Sequence, residues 1–383
     1  MRKPLEDIRV VDMTHVWFGP WATMMIADMG AEVIRIEPPW GAIDRISEGM
    51  LYGGASYTFH HLNQNKKDLA LNLKDPEGMR LLKELIKKSD VVIQNMSVGT
   101  MEKLGLSYDE LKKLNPGIIY AALSGFGQYG PYKNRSCYAN IAEAMSGHTR
   151  MTGDIVDPMG PPIEMAMAYG DLGPGSLAAM AIIAALRYRD KTGLGQMIDI
   201  SQLDCMVALN PGMTGYFLSG MLNWEMRKNF PTGGIAGIFK AKDGGWVGVG
   251  VYSPSALENL KRFLNKEEPT EEDCEKYVAS KNRDDAIQEL VDADLPVAPI
   301  YQLNETANDP HLASRGIFID IEHPLAGKIR TVNSPIKFSL TPTERTTAAP
   351  LLGQHSKEIL SRVLSLSNSQ IDELINNGVV ASS

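Results

Sequence analysis

Short apolar runs alternate with amphipathic stretches through the first third of the chain. Ile8 to Met13 is an apolar run of strand length. Pro20 then opens a segment carrying Met24, Met25, Ile26 and Met29 and closed by Gly30, which predicts a helix. Ala31 to Glu37 predicts the next strand. Asp75-Pro-Glu77 caps a helix bearing Leu81, Leu82, Leu85 and Ile86, and Val91 to Ile93 is again strand-like. Ser107-Tyr-Asp-Glu110 reads as a capping box for a short helix ending at Asn115-Pro116, before a strand over Ile118 to Leu123. Strands and helices in strict alternation, joined by short loops, predict an α/β fold with a Rossmann-like parallel sheet.

Further on, Leu177 to Leu186 is a continuous apolar run that predicts a buried helix, with Pro174 suited to its first turn. The pattern changes after about residue 215. A Gly-rich stretch, Pro231 to Gly237, precedes an alternating strand, Trp246 to Val251. Polar helices follow over Ser255 to Leu264, Glu271 to Ala279 and Asp284 to Ala293. Strand-like pieces from Pro324 lead to two short amphipathic helices, Lys357 to Leu364 and Ser369 to Asn376. The expected organisation is a large Rossmann-like domain over residues 1–215, a smaller α+β domain over 216–323, and a segment, 324–383, that returns to the large domain.

Composition narrows the function. The 383 residues are 44% hydrophobic and carry a net charge of −8, which argues against nucleic-acid binding through bulk charge. Cys137, Cys205 and Cys274 are far apart and form no CxxC pair, as suits a reducing cytoplasm. The N-terminus has no apolar h-region, and Leu177 to Leu186 is too short to span a bilayer, so no membrane association is expected. HExxH, P-loop, GxSxG and zinc spacings are missing, and no metal is expected. Gly125-Phe-Gly-Gln-Tyr-Gly130 follows a strand, but no apolar helix opens at its third glycine. The first turn, Thr14 to Pro20, holds one glycine where a dinucleotide fingerprint has three.

Candidate chemistry then falls on a few positions. Asp171 stands in Ala168-Tyr-Gly-Asp-Leu-Gly-Pro-Gly175, ahead of the long apolar run. Flanking glycines leave room for a ligand, and a helix N-terminus favours an ionised carboxylate, which can be a nucleophile or simply a cap. Glu37, at a strand end, is placed to reach a ribose or to sit in solvent. Asn63-Gln-Asn-Lys-Lys67 could meet phosphates or form a solvated loop. Trp17 and Trp40, in loops after the first two strands, could line a pocket mouth or serve packing.

Taken in order, several segments resemble the class III CoA-transferases, the group that includes formyl-CoA and carnitine CoA-transferases. They are Arg9-Val-Val-Asp-Met-Thr-His15 with Gly19-Pro20, Ala31-Glu-Val-Ile-Arg-Ile-Glu-Pro-Pro39, Asp44-Arg45, Asn63-Gln-Asn-Lys66, Asn95 and Leu104-Gly-Leu. Ser124-Gly-Phe-Gly-Gln-Tyr-Gly-Pro131, Gly170-Asp171, Arg187 with Thr192-Gly-Leu-Gly-Gln196, Asp309-Pro-His-Leu and Leu352-Gly-Gln-His355 complete the set. The resemblance implies that Asp171 is a covalent nucleophile that moves CoA from an acyl-CoA to a carboxylic acid through anhydride and thioester intermediates. It implies CoA contacts at Val16, Arg35, Asn95 and Tyr138. Lys103 is the nearest cation after Asn95, because Met96-Ser-Val98 stand where the family usually has a basic residue. Oxyanion donors are expected from the backbone of Gly233 and Gly234 or from the Gln128 loop. Trp17 replaces a polar amide of the formyl-CoA subgroup, which implies a bulkier or more apolar acid. CoA and acyl-CoA enter as substrates, with no permanently bound cofactor, and an interlocked homodimer is expected. Two other activities share these motifs or part of them. One is epimerisation of an α-methylacyl-CoA, whose family histidine would fall at Tyr138, a poor base near neutral pH; the other is CoA binding without catalysis.

Overall fold

A computed structural model describes residues 3–47, 49–222, 225 and 234–383. Its largest element is a seven-stranded sheet. Across the sheet the strands are Val380–Ala381, Lys67–Leu71, Glu32–Glu37, Arg9–Met13, Val91–Gln94, Ile119–Ser124 and Met197–Ser201. All neighbours are parallel except the edge strand Val380–Ala381, which runs antiparallel to Lys67–Leu71. The chain order reverses between Arg9–Met13 and Val91–Gln94.

Alternation along each strand divides the core in two. Val11, Ile34, Leu69, Val92 and Tyr120 pack on one face with Leu81, Leu82, Leu85 and Ile86 of helix Pro76–Lys87 and with Ile359, Leu360, Ile371 and Leu374 of the last helices. Val10, Val33, Val91, Ile119 and Leu123 pack on the other face with helices Phe18–Asp28 and Tyr169–Thr192. Both faces are covered, so these strands carry apolar residues at successive positions.

The chain folds into two compact units, Met1–Thr214 with Gly316–Ser383, and Gly215–Arg315. The second unit has a three-stranded antiparallel sheet, ordered Val297–Pro299, Trp246–Val251 and Ile235–Lys240. It also holds helices Pro254–Leu264, Glu271–Ala279 and Arg283–Asp292 around its own core. A hairpin of Phe318–His323 with Gly327–Val332 belongs to the first unit.

Three sequence expectations change. Asn63, Gln64 and Lys66 are buried, and Lys67–Leu71 is an inner strand. The segment is neither a solvated loop nor a phosphate contact, because Lys66 Nζ reaches Asp12 Oδ2 at 3.2 Å, Pro20 O at 3.0 Å and Asn63 Oδ1 at 2.9 Å. Glu37 is buried in ion pairs rather than solvated. The helix expected near Pro174 begins at Tyr169 and runs 24 residues, long and apolar enough to cross a membrane by length and composition. In the fold its inner face, including Ala178, Ile182 and Ala185, lies in the core beside the sheet.

Candidate active site

A cavity of about 540 Å³ opens at the carboxyl ends of the parallel strands. Its lining includes His15 to Phe18, after the first strand, and Asn95 to Val98, after Val91–Gln94. It lies at the reversal of strand order, where adjacent connections leave in opposite directions and a crevice must form. Asp171 and Gln202 line the same cavity.

Asp171 lies in the first turn of helix Tyr169–Thr192. The helix N-terminus is satisfied by Glu143, from another helix, and by its own capping residue. Gly170 N donates to Glu143 Oε1 at 2.8 Å, and Asp171 N and Leu172 N both reach Ala168 O at 3.0 Å. Pro174 falls inside the helix and has no N–H, so the carbonyl four residues back, Gly170 O, lacks its helical donor. The Gln202 amide fills that gap. Its Nε2 donates to Gly170 O at 3.1 Å and to Asp171 Oδ1 at 2.5 Å, which uses both amide hydrogens. The flanking glycines serve packing, not ligand access. A Cβ on Gly170 would fall 2.4 Å from Ala139 O, and one on Gly175 would fall 2.7 Å from Phe18 O.

The loop opposite is held by buried charge. Val16 has a φ of +69° and donates its N–H to Asp44 Oδ2 at 2.9 Å. Asp44 in turn takes a fork from Arg35 Nη2 at 2.7 and 2.9 Å. The remaining Arg35 hydrogens go to Glu37 Oε1 at 2.8 Å, Thr14 O at 3.0 Å and Asn63 Oδ1 at 3.5 Å. Arg35 is fully buried with its hydrogens engaged within the protein, and it supports the Val16 turn through Asp44. Glu37 also accepts two bonds of 2.8 Å from Arg45. Burial opposes the Glu37 charge, but Arg35, a bond from Asp68 and Arg45 together hold its carboxyl well below the usual range. Asp68 moves the other way, raised by burial and by the Glu37 charge. Burial brings the Lys66 ammonium down to about 8 against the pull of Asp12.

The other expected residues scatter. Asn95 lines the cavity, with its amide clamped on the His15 backbone: Oδ1 accepts from His15 N at 3.1 Å and Nδ2 donates to His15 O at 2.8 Å. Trp17 and Tyr138 line it too, and Tyr138 is 71% exposed. Lys103 is exposed at the end of helix Thr100–Lys103 and lies outside the lining. Gln128 is also outside it. Its backbone N donates to Asp199 Oδ2 at 3.0 Å, and its buried Nε2 has no partner among the described residues. Gly234 belongs to the second unit, and Gly233 lies outside the described residues.

Sequence reasoning missed three parts of the site. Lys133 and Arg135, directly after the Gly-rich turn, line the cavity and supply its positive charge; their signal was two cations within three residues of a strand-end loop. Gln202 was signalled only indirectly, by a proline whose helix must find a donor elsewhere. Cys137 also lines the cavity, but burial and the nearby Asp171 charge push its thiol up to about 11, so it stays protonated. A second cavity of about 1060 Å³ shares His15, Ile43 and Met96 with the first and is walled by Pro38, Trp40, Leu73 and Lys74. Trp40 therefore lines a pocket, with Lys74 Nζ 5.6 Å from its ring centroid. Among the described residues no group of three or more His, Cys, Asp or Glu is placed to hold a metal ion.

The sequence profile described as CoA-transferase family III matches residues 5–356. Succinyl-CoA:glutarate CoA-transferase of Mus musculus is 33% identical over 401 aligned residues, covering 99% of this chain and 90% of that protein. Formyl-CoA:oxalate CoA-transferase of Streptomyces avermitilis is 32% identical, covering 99% of this chain and 100% of that protein. The crystal structure of a CAIB/BAIF family protein from Brucella suis superposes with a TM-score of 0.83 at 27% identity, covering 95% of this chain and 100% of that one. The mixed α/β fold, with its large and mostly parallel sheet and small antiparallel sheets, is the fold of that protein. This chain belongs to CoA-transferase family III and is a CoA-transferase.

Proposed function

We propose that Asp171 is the nucleophile and that the two joined cavities receive CoA. The observation that carries this reading is a carboxylate at a helix N-terminus, held at one oxygen by Gln202, in a cavity that continues into a larger one. The second Asp171 oxygen would attack the thioester carbonyl carbon of the donor. The C–S bond breaks, CoA leaves as a thiolate, and a mixed anhydride forms. The thiolate then attacks the aspartyl carbonyl, releases the donor acid and leaves an aspartyl-CoA thioester. The acceptor carboxylate attacks that thioester and frees the thiolate again. Attack of the thiolate on the acceptor's acyl carbon releases acyl-CoA and returns Asp171 as a carboxylate. Every step exchanges one acyl partner for another, so no net proton is consumed.

Lys133 and Arg135 are the cations we assign to CoA phosphates, with Val16, Asn95 and Tyr138 along the chain of the cofactor. Lys103, Gly233, Gly234 and the Gln128 loop remain proposals for outer phosphate and oxyanion contacts. The acids named for the two relatives differ in length, so likeness to them does not choose the acceptor. Trp17 supports an acid bulkier than oxalate; turnover of oxalate with none of longer acids would overturn that choice. We also propose a soluble cytoplasmic homodimer. Ile155, Val156 and Met159 are 59%, 72% and 91% exposed, and a cluster of that kind calls for cover.

Hydroxylamine added during turnover tests the mechanism. It should convert Asp171 to a hydroxamate, found by peptide mass spectrometry, only when acyl-CoA is present. Asp171→Asn should abolish labelling and lower kcat on the order of 10⁴-fold or more. Full turnover by Asp171→Asn would sink the reading.

A further inference from the structure

Two buried acceptors face one small void and meet no donor among the described residues. They are Nδ1 of His60 and Oε1 of Gln64, residues that are 7% and 2% exposed. Both line a void of about 10 Å³, together with Thr331. Ile321 and Ile329 of the hairpin, with Ala348 and Ala349, supply its remaining walls. A buried acceptor without a donor loses its hydration for nothing, so native interiors rarely leave one. Two at one place point to an occupant.

The chemistry of each acceptor is fixed by the other half of its side chain. His60 Nε2 lies 2.8 Å from Tyr52 O. A carbonyl only accepts, so Nε2 carries the hydrogen, and Nδ1 of the neutral ring keeps its lone pair. His323 does not satisfy that lone pair. The two rings meet edge to face with centroids 4.8 Å apart, and His323 Nδ1 accepts from Leu325 N at 3.2 Å and from Ala326 N at 3.0 Å. Gln64 Nε2 donates to His60 O at 3.1 Å and to Thr331 Oγ1 at 2.8 Å, which uses both amide hydrogens. Turning the amide over would set its oxygen against the His60 carbonyl, so Oε1 is held as an acceptor. Thr331 Oγ1 takes a Gln64 hydrogen and keeps its own to give.

We propose that this void is a built site for a single water molecule. Its two hydrogens go to His60 Nδ1 and Gln64 Oε1, and its oxygen takes the Thr331 hydroxyl hydrogen. Three polar partners are the usual complement of a buried water, and a void of this size admits one. A cation would meet the same lone pairs, but no carboxylate among the described lining residues balances its charge. The site joins parts of the chain far apart in sequence: helix Tyr57–Leu62, strand Gly327–Val332 and residues 348–349. It also settles what His60 offers to a neighbouring cavity of about 600 Å³, which His60 and Trp17 both line; Trp17 lines the Asp171 cavity as well. With one ring nitrogen on Tyr52 O and the other on the water, His60 is a fixed wall there and neither an acid nor a base.

Neutron diffraction from crystals of the full-length enzyme exchanged into D₂O tests the site. The expected map shows one D₂O in the void, its deuterons directed at His60 Nδ1 and Gln64 Oε1, with a deuteron on His60 Nε2 and none on Nδ1. An empty void, a deuteron on Nδ1, or an occupant with four deuterons, which is an ammonium ion, overturns the proposal. An X-ray structure of the double variant His60→Phe with Gln64→Leu gives a second check, because apolar side chains then replace both acceptors. The water is expected to be lost, and a water that persists overturns the assignment of these acceptors. Should the double variant fail to fold, the wild-type map decides alone. His60→Phe by itself is expected to keep the wild-type pH profile of kcat. Loss of one limb of that profile would show a titrating His60 and overturn its role as a fixed wall.

Discussion

At the scale of single residues, position 174 explains the most. A proline inside a helix normally removes one hydrogen bond and strains the preceding turn. Here the orphaned Gly170 carbonyl is met by Gln202, and the same amide nitrogen reaches Asp171. The orientation of the carboxylate therefore depends on an N–H that is missing. Pro174→Ala restores that N–H, which would compete with Gln202 for Gly170 O. The expected outcome is a melting temperature that rises, by up to about 3 kcal/mol of stability, while kcat falls about tenfold. Calorimetry and steady-state rates on one preparation check both. A fall in both quantities would show that the proline serves packing alone. Little of this was legible beforehand. The local pattern showed a carboxylate near a helix start, and only the tertiary position of Gln202, 31 residues away, gives the gap a meaning.

At the scale of elements, the strands and helices of the first half were readable because their periods are clean. The alternating and continuous apolar runs of Arg9–Met13, Glu32–Glu37 and Ile119–Ser124 can only be strands buried on both faces. Lys67–Leu71 was hidden by the polar residues before it, Asn63 to Lys66, which composition assigns to the surface. They are internal because Asp12, Arg35 and Glu37, from other strands, meet the same buried network of paired charges. Pairing across strands is a property of register, which one segment cannot reveal. The network also separates support from contact. Arg35→Met leaves Asp44 buried without its guanidinium partner and Glu37 with Arg45 alone, and is expected to cost about 3–5 kcal/mol in urea unfolding. Lys103→Ala, at an exposed position, is expected to fall within about 0.5 kcal/mol of wild type. Comparable stability for the two variants would argue that Arg35 faces solvent or ligand.

At the scale of the whole molecule, the apolar cluster of Ile155, Val156 and Met159 bears on assembly. Light scattering at micromolar concentration is expected to give about 84 kDa, twice the chain mass of 42.0 kDa. Val156→Glu with Met159→Glu is expected to shift that mass toward one chain. A single-chain mass for wild type would remove the homodimer. The path of the chain carries a different consequence, for synthesis. The first unit is interrupted by residues 215–315, and its edge strand Val380–Ala381 and the core side chains Ile359, Leu360, Ile371 and Leu374 all come after the interruption. On the ribosome the second unit, contiguous in sequence, can close while the first still waits with Lys67–Leu71 as an open sheet edge. During that interval the nascent chain offers a template for pairing with other chains, and yield in the cell becomes a matter of translation speed and chaperone supply as much as of final stability.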